Sequence, residues 1–407
     1  MKAWPFRLRV VFRFLFCYYV LYMLPAHGTA NLLGGTGWFS QPYEKFWDGI
    51  TTWVAVHVFH LSGHVTTRFL TGSGDTTLDY IQTLCNVAVA LAGMIVWTVL
   101  DRRRMEYRTL HAWLRVGVRY TLAVTMLSYG FAKVYPMQFP LPRLARLMEP
   151  YGEFSPMGAL WWFMGSAPAY VIFAGSAEVL GGLLLFTRRT TTLGAMVCFG
   201  VLSNIVALNY MYDVPVKLYS TNLLLMAVFL LAPDLRRLAR VLVMNRGVEA
   251  ADQSLPSFAN RKLRIAGVAL QVVFIGYVLY NEVHGGWEAY QQVLHPKRPA
   301  LYGLYQVESG NTQWRKVAVD FPQAITVRNH DDTVTTLPSK YDEASSLVSL
   351  TIPGKGPVNV NYSRPDADHV LLKGLPEGDV RLKKIDASKF LLLSRGFHWI
   401  NEYPLNR

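Results

Sequence analysis

Charge is scarce in this chain. Asp, Glu, Lys and Arg make up 16% of its 407 residues, where an ordinary soluble protein carries about a quarter. Hydrophobic residues reach 52% and aromatics 13%, a composition that excludes the usual soluble globular classes and reads as a polytopic membrane protein. Acidic residues are the scarcer sign, 27 against 40 Lys and Arg, for a net charge of +13. The basic residues fall between apolar runs and do not gather in one patch, so they read as topology signals and not as a nucleic-acid surface. Thiols are nearly missing. Cys17, Cys85 and Cys198 each lie inside an apolar run with no CxxC pair, which excludes a disulfide framework and a thiol redox pair. Any redox chemistry therefore needs a borrowed cofactor.

What is abundant is apolar runs of spanning length. The first, Val10 to Leu24, follows a basic start and precedes Pro25-Ala26-His27-Gly28, as a secretory signal would. Arg13 interrupts it and further spans follow, so a retained first span is expected. The others are Tyr80 to Leu100, Ala112 to Val134, Ala169 to Thr187, Thr191 to Met211, Lys217 to Leu231 and Leu263 to Val283, seven in all. Counted with the N-terminus inside, segments 1–9, 101–111, 188–189 and 234–262 hold 15 Lys and Arg, and the outer loops 26–78 and 134–168 hold four. This asymmetry predicts a cytoplasmic N-terminus and an extracytoplasmic C-terminus, in a bacterial inner membrane. Residues 235–242 alternate Leu and Arg at helical spacing, as an inner-surface helix would.

Two outer loops carry features of their own. In the first, Ile50 to Leu61 predicts a re-entrant or interfacial helix, with His57, His60 and His64 at i, i+3 and i+7 as a weak metal pattern lacking a carboxylate at ligand spacing. Residues Gly72 to Thr77 read as a turn capping the second span. The other loop, Pro136 to Pro168, has six prolines and two short helix candidates, Leu141 to Met148 and Ser155 to Met164. Ser155 suits an N-cap there, Pro156 a first-turn position and Gly165 a terminator. Such a loop suits a lid over the bundle mouth or a plain surface loop.

From about Arg298 the grammar changes to short alternating segments rich in Val, Leu, Tyr and Thr, separated by turns such as Pro353-Gly354 and Pro376-Glu377-Gly378. Segments 301–309, 313–320, 324–328, 333–337, 345–352, 357–363, 369–373, 379–386 and 389–394 predict eight or nine strands. Their even spacing favours an up-and-down barrel or a sandwich. The closing run from Ser394 packs Phe397, Trp399, Ile400 and Tyr403 beside Arg395 and Glu402. It is expected to fold back on the β-domain, with Phe397 and Ile400 plugging an open end and Arg395 pairing with Glu402.

The candidate site lies among polar residues inside the membrane. Glu178 stands mid-span, where an ionised carboxylate costs on the order of 2.5–3.5 kcal/mol and must find a partner, a proton or a wet cavity. Thr121, Thr125, Tyr129 and Lys133 recur every four residues with Ser128 beside them, forming one polar face that should look into the bundle. Ala174, Gly175, Glu178, Gly181 and Gly182 share a face of small residues that lets a neighbouring backbone come close. Asn204 and Asn209 are about 140° apart on their helix, while Asn209 and Asp213 share a face, and Lys217 opens the next span beyond Pro215. Lys133, Asp213 and Lys217 read as outer-end residues with Glu178 roughly 12 Å deeper. Two readings fit. One is structural pairing of Glu178 with Lys133 and asparagine bonds fixing helix register. The other makes Lys133 and Glu178 catalytic, with Tyr129, Asn204, Asn209, Asp213 and Lys217 lining a site for a polar head on an apolar ligand, as a quinone presents.

Ser128-Tyr129-Gly130-Phe131-Ala132-Lys133, the run Gly175 to Leu185, Arg188-Arg189 and Gly194-Ala195 together resemble the membrane core of the DoxX family. The likeness covers about residues 112–232. It implies a four-helix bundle, with Lys133 ending its first helix and Glu178 before the glycines of its second, and relatives that include quinone-linked oxidation subunits. The run from Ser394 to Glu402 resembles the ending of longer, uncharacterised members with an outer β-domain. This chain departs from the pattern by adding three spans and by lacking motif thiols, which argues against disulfide exchange. The expected organisation is N-terminal spans and outer loop over 1–111, the bundle over 112–232, an inner amphipathic segment and last span over 233–297, and an extracytoplasmic β-domain over 298–407. Two functions follow: a quinone-linked redox subunit, or a non-enzymatic assembly factor or carrier whose β-domain binds a partner or lipid.

Overall fold

A computed structural model describes residues 3–24, 37–61, 72–251, 260–403 and 405. The chain forms two compact units, one of residues 1–135 and 171–288, the other of 136–170 and 289–407. The first is helical. Its helices are α1 (Phe6–Met23), α2 (Gly37–His57), α3 (Thr77–Leu100) and α4 (Arg108–Val134). In the second unit lie the short α5 (Leu144–Leu147) and α6 (Pro156–Gly165). Then come α7 (Pro168–Leu185), α8 (Thr191–Met211), α9 (Lys217–Leu231) and α10 (Leu235–Leu242). α11 (Arg261–Tyr280) runs through a π-helical turn, Asn281–Gly285, into α12 (Gly286–Leu294).

Among the described residues, five helical stretches are long and apolar enough to cross a membrane: Thr77–Leu100, Pro168–Leu185, Thr191–Met211, Lys217–Leu242 and Arg261–Leu294. These make the chain a multi-helix membrane protein. α1 and α4 occupy the other two expected positions but carry Arg7, Arg9 and Arg13, and Arg108, Arg115, Arg119 and Lys133, which set them apart in composition. The physical account of Arg13 is burial with full pairing. Its guanidinium donates to the Tyr107 hydroxyl from Nε at 3.0 Å and from Nη2 at 2.7 Å, to Thr98 Oγ1 at 2.9 Å and to the Asp101 carbonyl at 2.8 Å. Phe12, Tyr19 and Tyr22 of α1 enter the same apolar core as Leu122 and Met126 of α4 and Met226 and Leu230 of α9.

Local signals explain the helix ends. Thr76 and Asp79 form a reciprocal capping box at the start of α3, and Ser155 Oγ accepts from Gly158 N at 3.0 Å to start α6. α5 is shorter than the expected Leu141 to Met148, because Pro140 and Pro142 disfavour helical backbone before Arg143. α2 begins earlier than expected and ends at His57, and His60 has a left-handed φ of 51°. His57 and His60 therefore do not share a helical face; His64 lies outside the described residues. The His57 ring stacks on Trp53 with centroids 4.8 Å apart.

The second unit is built on a closed barrel of eight strands in sequence order, each antiparallel to the next: β1 (Gly303–Ser309), β2 (Trp314–Phe321), β3 (Ala324–Asn329), β4 (Val334–Asp342), β5 (Leu347–Ile352), β6 (Gly356–Ser363), β7 (His369–Lys373) and β8 (Val380–Ile385). Alternate residues fill the interior: Val317 and Val319, Ile325 and Val327, Val348 and Leu350, Val370 and Leu372, Val380 and Leu382. Eight strands enclose just enough room for such a side-chain core. The sandwich alternative is thereby replaced by a barrel. The expected ninth strand at 389–394 is a short 3-10 turn (Ala387–Lys389) and a helical turn, α13 (Leu391–Ser394). β8 already pairs with β1, Ile385 opposite Leu304, so no free edge remains for a ninth strand.

Residues 136–170 group with the β-domain in one compact unit. Leu144 and Met148 pack against Leu304 and Ala318 on the outer face of β1 and β2. The Asp320 carboxylate accepts from Leu144 N at 2.9 Å and Ala145 N at 3.0 Å, capping α5. Buried Arg328 donates to the Met148 carbonyl, to Asp332 at 3.0 Å and to Glu153 at 3.3 Å. Residues 136–170 are a latch on the barrel.

The closing run does not plug the barrel. Phe397, Trp399, Ile400 and Tyr403 are 79%, 90%, 77% and 85% exposed. Arg395 bonds Asn401 in place of Glu402, and His398 Nδ1 lies 2.8 Å from the Gly396 carbonyl. The interior is full of strand residues, and Arg395, His398 and Asn401 bond within the run.

Candidate functional site

The site is built where α4 and α7 cross. A Cβ on Gly175 would lie 2.6 Å from the Gly130 carbonyl oxygen and 2.6 Å from Lys133 Cβ, and one on Gly182 would lie 2.8 Å from the Ala123 carbonyl oxygen. Only glycine permits this approach. The pairing of 134 with 175 and 123 with 182 makes the two helices antiparallel. Side chains on a helix lean toward its N-terminus, so Lys133 leans inward along α4 while Glu178 leans outward along α7. They meet. Lys133 Nζ lies 2.9 Å from Glu178 Oε1 and 3.0 Å from Oε2, with the two side chains only 8% and 2% exposed. The expected 12 Å difference in depth is not found: Lys133 lies level with Gly175, three residues or about 4.5 Å from Glu178, and the opposed leans and the length of the lysine close that gap.

A buried ion pair survives only if geometry repays its desolvation. Here the ammonium makes a forked contact with both carboxylate oxygens and a longer one, 3.4 Å, with the Tyr129 carbonyl. The ammonium also lies 5.7 Å from the Tyr129 ring centroid, within cation–π range. Tyr129 is 42% exposed and its ring neighbours Tyr219 at 6.1 Å, whose hydroxyl is 3.4 Å from Thr125 Oγ1. Tyr18 donates to Asn222 Oδ1 at 2.6 Å and stacks on Tyr22 at 6.0 Å. Cys198 packs against Gly181, three residues on from Glu178. The pair thus lies beside the phenol of Tyr129, whose ring neighbours that of Tyr219 on α9. Such a setting can hold, donate or accept one proton beside a polar head group.

The other expected site residues fall elsewhere. Asn209 is buried and donates to Ser220 Oγ at 3.0 Å, tying α8 to α9. Asn204 is exposed on the same helix. Asp213, at a left-handed φ of 52°, takes Lys217 Nζ at 2.8 Å, and Lys217 lies 3.8 Å from Asp75. Asp75 also accepts from Lys217 N at 2.7 Å and Leu218 N at 3.0 Å, so it caps α9. Asn209 thus bonds Ser220, Asp213 and Lys217 bond each other, Lys217 also reaches Asp75, and Lys133 and Glu178 bond each other. Of the ligand-site group, only Tyr129 accompanies the pair. Sequence reasoning missed Tyr18, Tyr22, Tyr219 and Asn222. The Tyr18-Tyr19-Tyr22 spacing in α1 and the polar Ser220 and Asn222 in α9 were the available signals.

Fold and site together define a multi-helix membrane protein with a closed, side-chain-filled β-barrel and a buried lysine–glutamate pair at a glycine-lined helix crossing. The chain matches no protein-family profile, and no solved structure matches it. It is 34% identical over 128 residues to "Uncharacterized protein YwoB" of Bacillus subtilis (strain 168), an alignment covering 29% of this chain and 75% of that protein. The chain belongs to the YwoB family.

Proposed function

We propose that this is a DoxX-like, quinone-linked redox subunit of the bacterial inner membrane, in which Lys133 and Glu178 receive the head group of a membrane quinone. The observation that carries the reading is the buried Lys133–Glu178 contact beside half-exposed Tyr129. Lys133 Nζ donates to a quinone oxygen, and Glu178, released from the pair, holds the exchanged proton. Reduction to the quinol would take two electrons from a partner redox protein and two protons, one from the Lys133 ammonium and one from Glu178 once it has been protonated, both replaced from water. In the membrane the chain makes seven spans, α1 and α4 included, with the N-terminus cytoplasmic and the barrel outside. The excess of basic residues in 1–9, 101–111, 188–189 and 234–262 supports that orientation.

Extraction in mild detergent, followed by solvent extraction, mass spectrometry and an absorption scan, tests the reading. A quinone in near-stoichiometric amount is expected, lost in Lys133→Met/Glu178→Gln protein that still folds. The same preparation, without endogenous quinone and unable to bind an added short-chain quinone, would refute it. The second reading, a non-enzymatic assembly factor or carrier, is favoured by one feature: the pair satisfies itself, as a register-fixing latch would. A stoichiometric protein or lipid and no chromophore would support that alternative.

A further inference from the structure

The C-terminal run after β8 carries the most exposed apolar side chains of the β-domain. Leu391 and Leu392 are each about half exposed, and Trp399 is 90% exposed. Phe397 and Trp399 make only an edge contact with each other, centroids 4.9 Å apart. Single exposed hydrophobes need no explanation, but a cluster of leucines, Phe, Trp, Ile and Tyr with Arg395 and His398 among them does. The mix matches what lies flat at a bilayer surface: aromatic rings at head-group level, aliphatic side chains just below, cationic groups in water.

Topology says which surface is in reach. The start of β1 pairs with the end of β8, Leu304 opposite Ile385. The rim where the chain enters the barrel is thus the rim where it leaves. Phe390, at the root of the run, packs beside Leu144 and Ile385 at that rim. The chain enters from the last candidate span, whose helix ends at Leu294, nine residues before Gly303. Nine residues reach at most about 30 Å when extended. A segment rooted at the entry rim is therefore tethered within that length of the end of the candidate span.

We infer that Leu391–Tyr403 is an interfacial membrane anchor, holding the entry rim of the barrel to the lipid head groups through Phe397, Trp399 and Ile400. A nitroxide attached through Trp399→Cys, in a background with Cys17, Cys85 and Cys198 replaced by Ala, reports the depth of position 399. The full-length protein is reconstituted in vesicles of phosphatidylcholine and phosphatidylglycerol. The expected result is oxygen accessibility exceeding that of a water-soluble nickel chelate. A label at Lys355, in the β5–β6 turn of the opposite rim, should show the reverse. Equal, water-like accessibility at both positions overturns the proposal. So does shielding from both reagents at 399, which would mark a protein contact. Should the cysteine-free protein not fold, the fluorescence difference between wild type and Trp399→Phe, with native cysteines, serves instead. Quenching of that difference by brominated phosphatidylcholine is expected, and an unquenched, red-shifted difference rejects the anchor.

Discussion

At the residue scale, Glu178 and Lys133 stand or fall together. Removing one partner of a buried pair leaves an uncompensated charge and costs about 3–5 kcal/mol, whereas replacing both with neutral groups is often near neutral. Glu178→Gln should therefore lower the thermal midpoint in detergent sharply, and Glu178→Gln with Lys133→Met should recover most of the loss. Additive losses in the two single variants would show that the contact contributes nothing. A second residue-scale expectation concerns the barrel phenols. Burial raises Tyr305 and Tyr341 above the ordinary tyrosine range, and burial again, with nearby acidic groups, raises Tyr362. The folded barrel holds these protons more tightly than the unfolded chain does, so stability is full below about pH 10 and falls as the pH rises beyond it. Tyr341 has no hydrogen-bond partner among the described residues. Tyr341→Phe should leave neutral-pH stability unchanged or higher by about 1 kcal/mol and move alkaline unfolding upward, as circular dichroism across pH 8–12 would record. A large loss at neutral pH would show that the hydroxyl has a partner after all.

At the element scale, the latch formed by 136–170 rests on two barrel side chains. Asp320→Ala removes both acceptors from the start of α5, an expected loss of about 1–3 kcal/mol, and should speed proteolysis within 141–150 while the barrel stays resistant. Unchanged cleavage would mean that Leu144 and Met148 hold the latch without the carboxylate. This element also shows how far the sequence was legible. Helices declared themselves through long apolar runs and strands through alternation, because both signals are local. Ser155 and Thr76 were readable caps for the same reason. Asp320 lies 176 residues from Leu144, and Asp75 lies 142 from Lys217, so no local pattern announces either bond. The Lys133–Glu178 pair was legible although 45 residues separate its partners, because a lone carboxylate in an apolar run demands a counterion. The π-helical turn at Asn281–Gly285 and the exposure of the closing run were not. The exposure of the run follows from the strand residues having already filled the barrel.

At the scale of the whole molecule, the division into 1–135 with 171–288 and 136–170 with 289–407 cuts the chain twice, so the β-domain takes a piece from between two candidate spans. The proposed topology puts that piece and the barrel on one side of the membrane. Reporter fusions at Arg104, Arg189 and Gly303 test it: alkaline phosphatase should be active only at Gly303, and activity at Arg104 would overturn the orientation.

The closure of β8 onto β1 has a consequence in time. A ring cannot exist until its last member arrives, so the barrel has no complete hydrogen-bonded perimeter until Ile385 has been made. α5 is synthesised 176 residues ahead of the carboxylate that caps it, a wait of roughly 10–35 s at ordinary elongation rates. During that interval Leu144 and Met148 have no strand to lie on, and the half-made β-domain exposes the edges of unpaired strands. Biogenesis of this protein therefore has a vulnerable window set by strand order, and a chaperone or protease would find its substrate there.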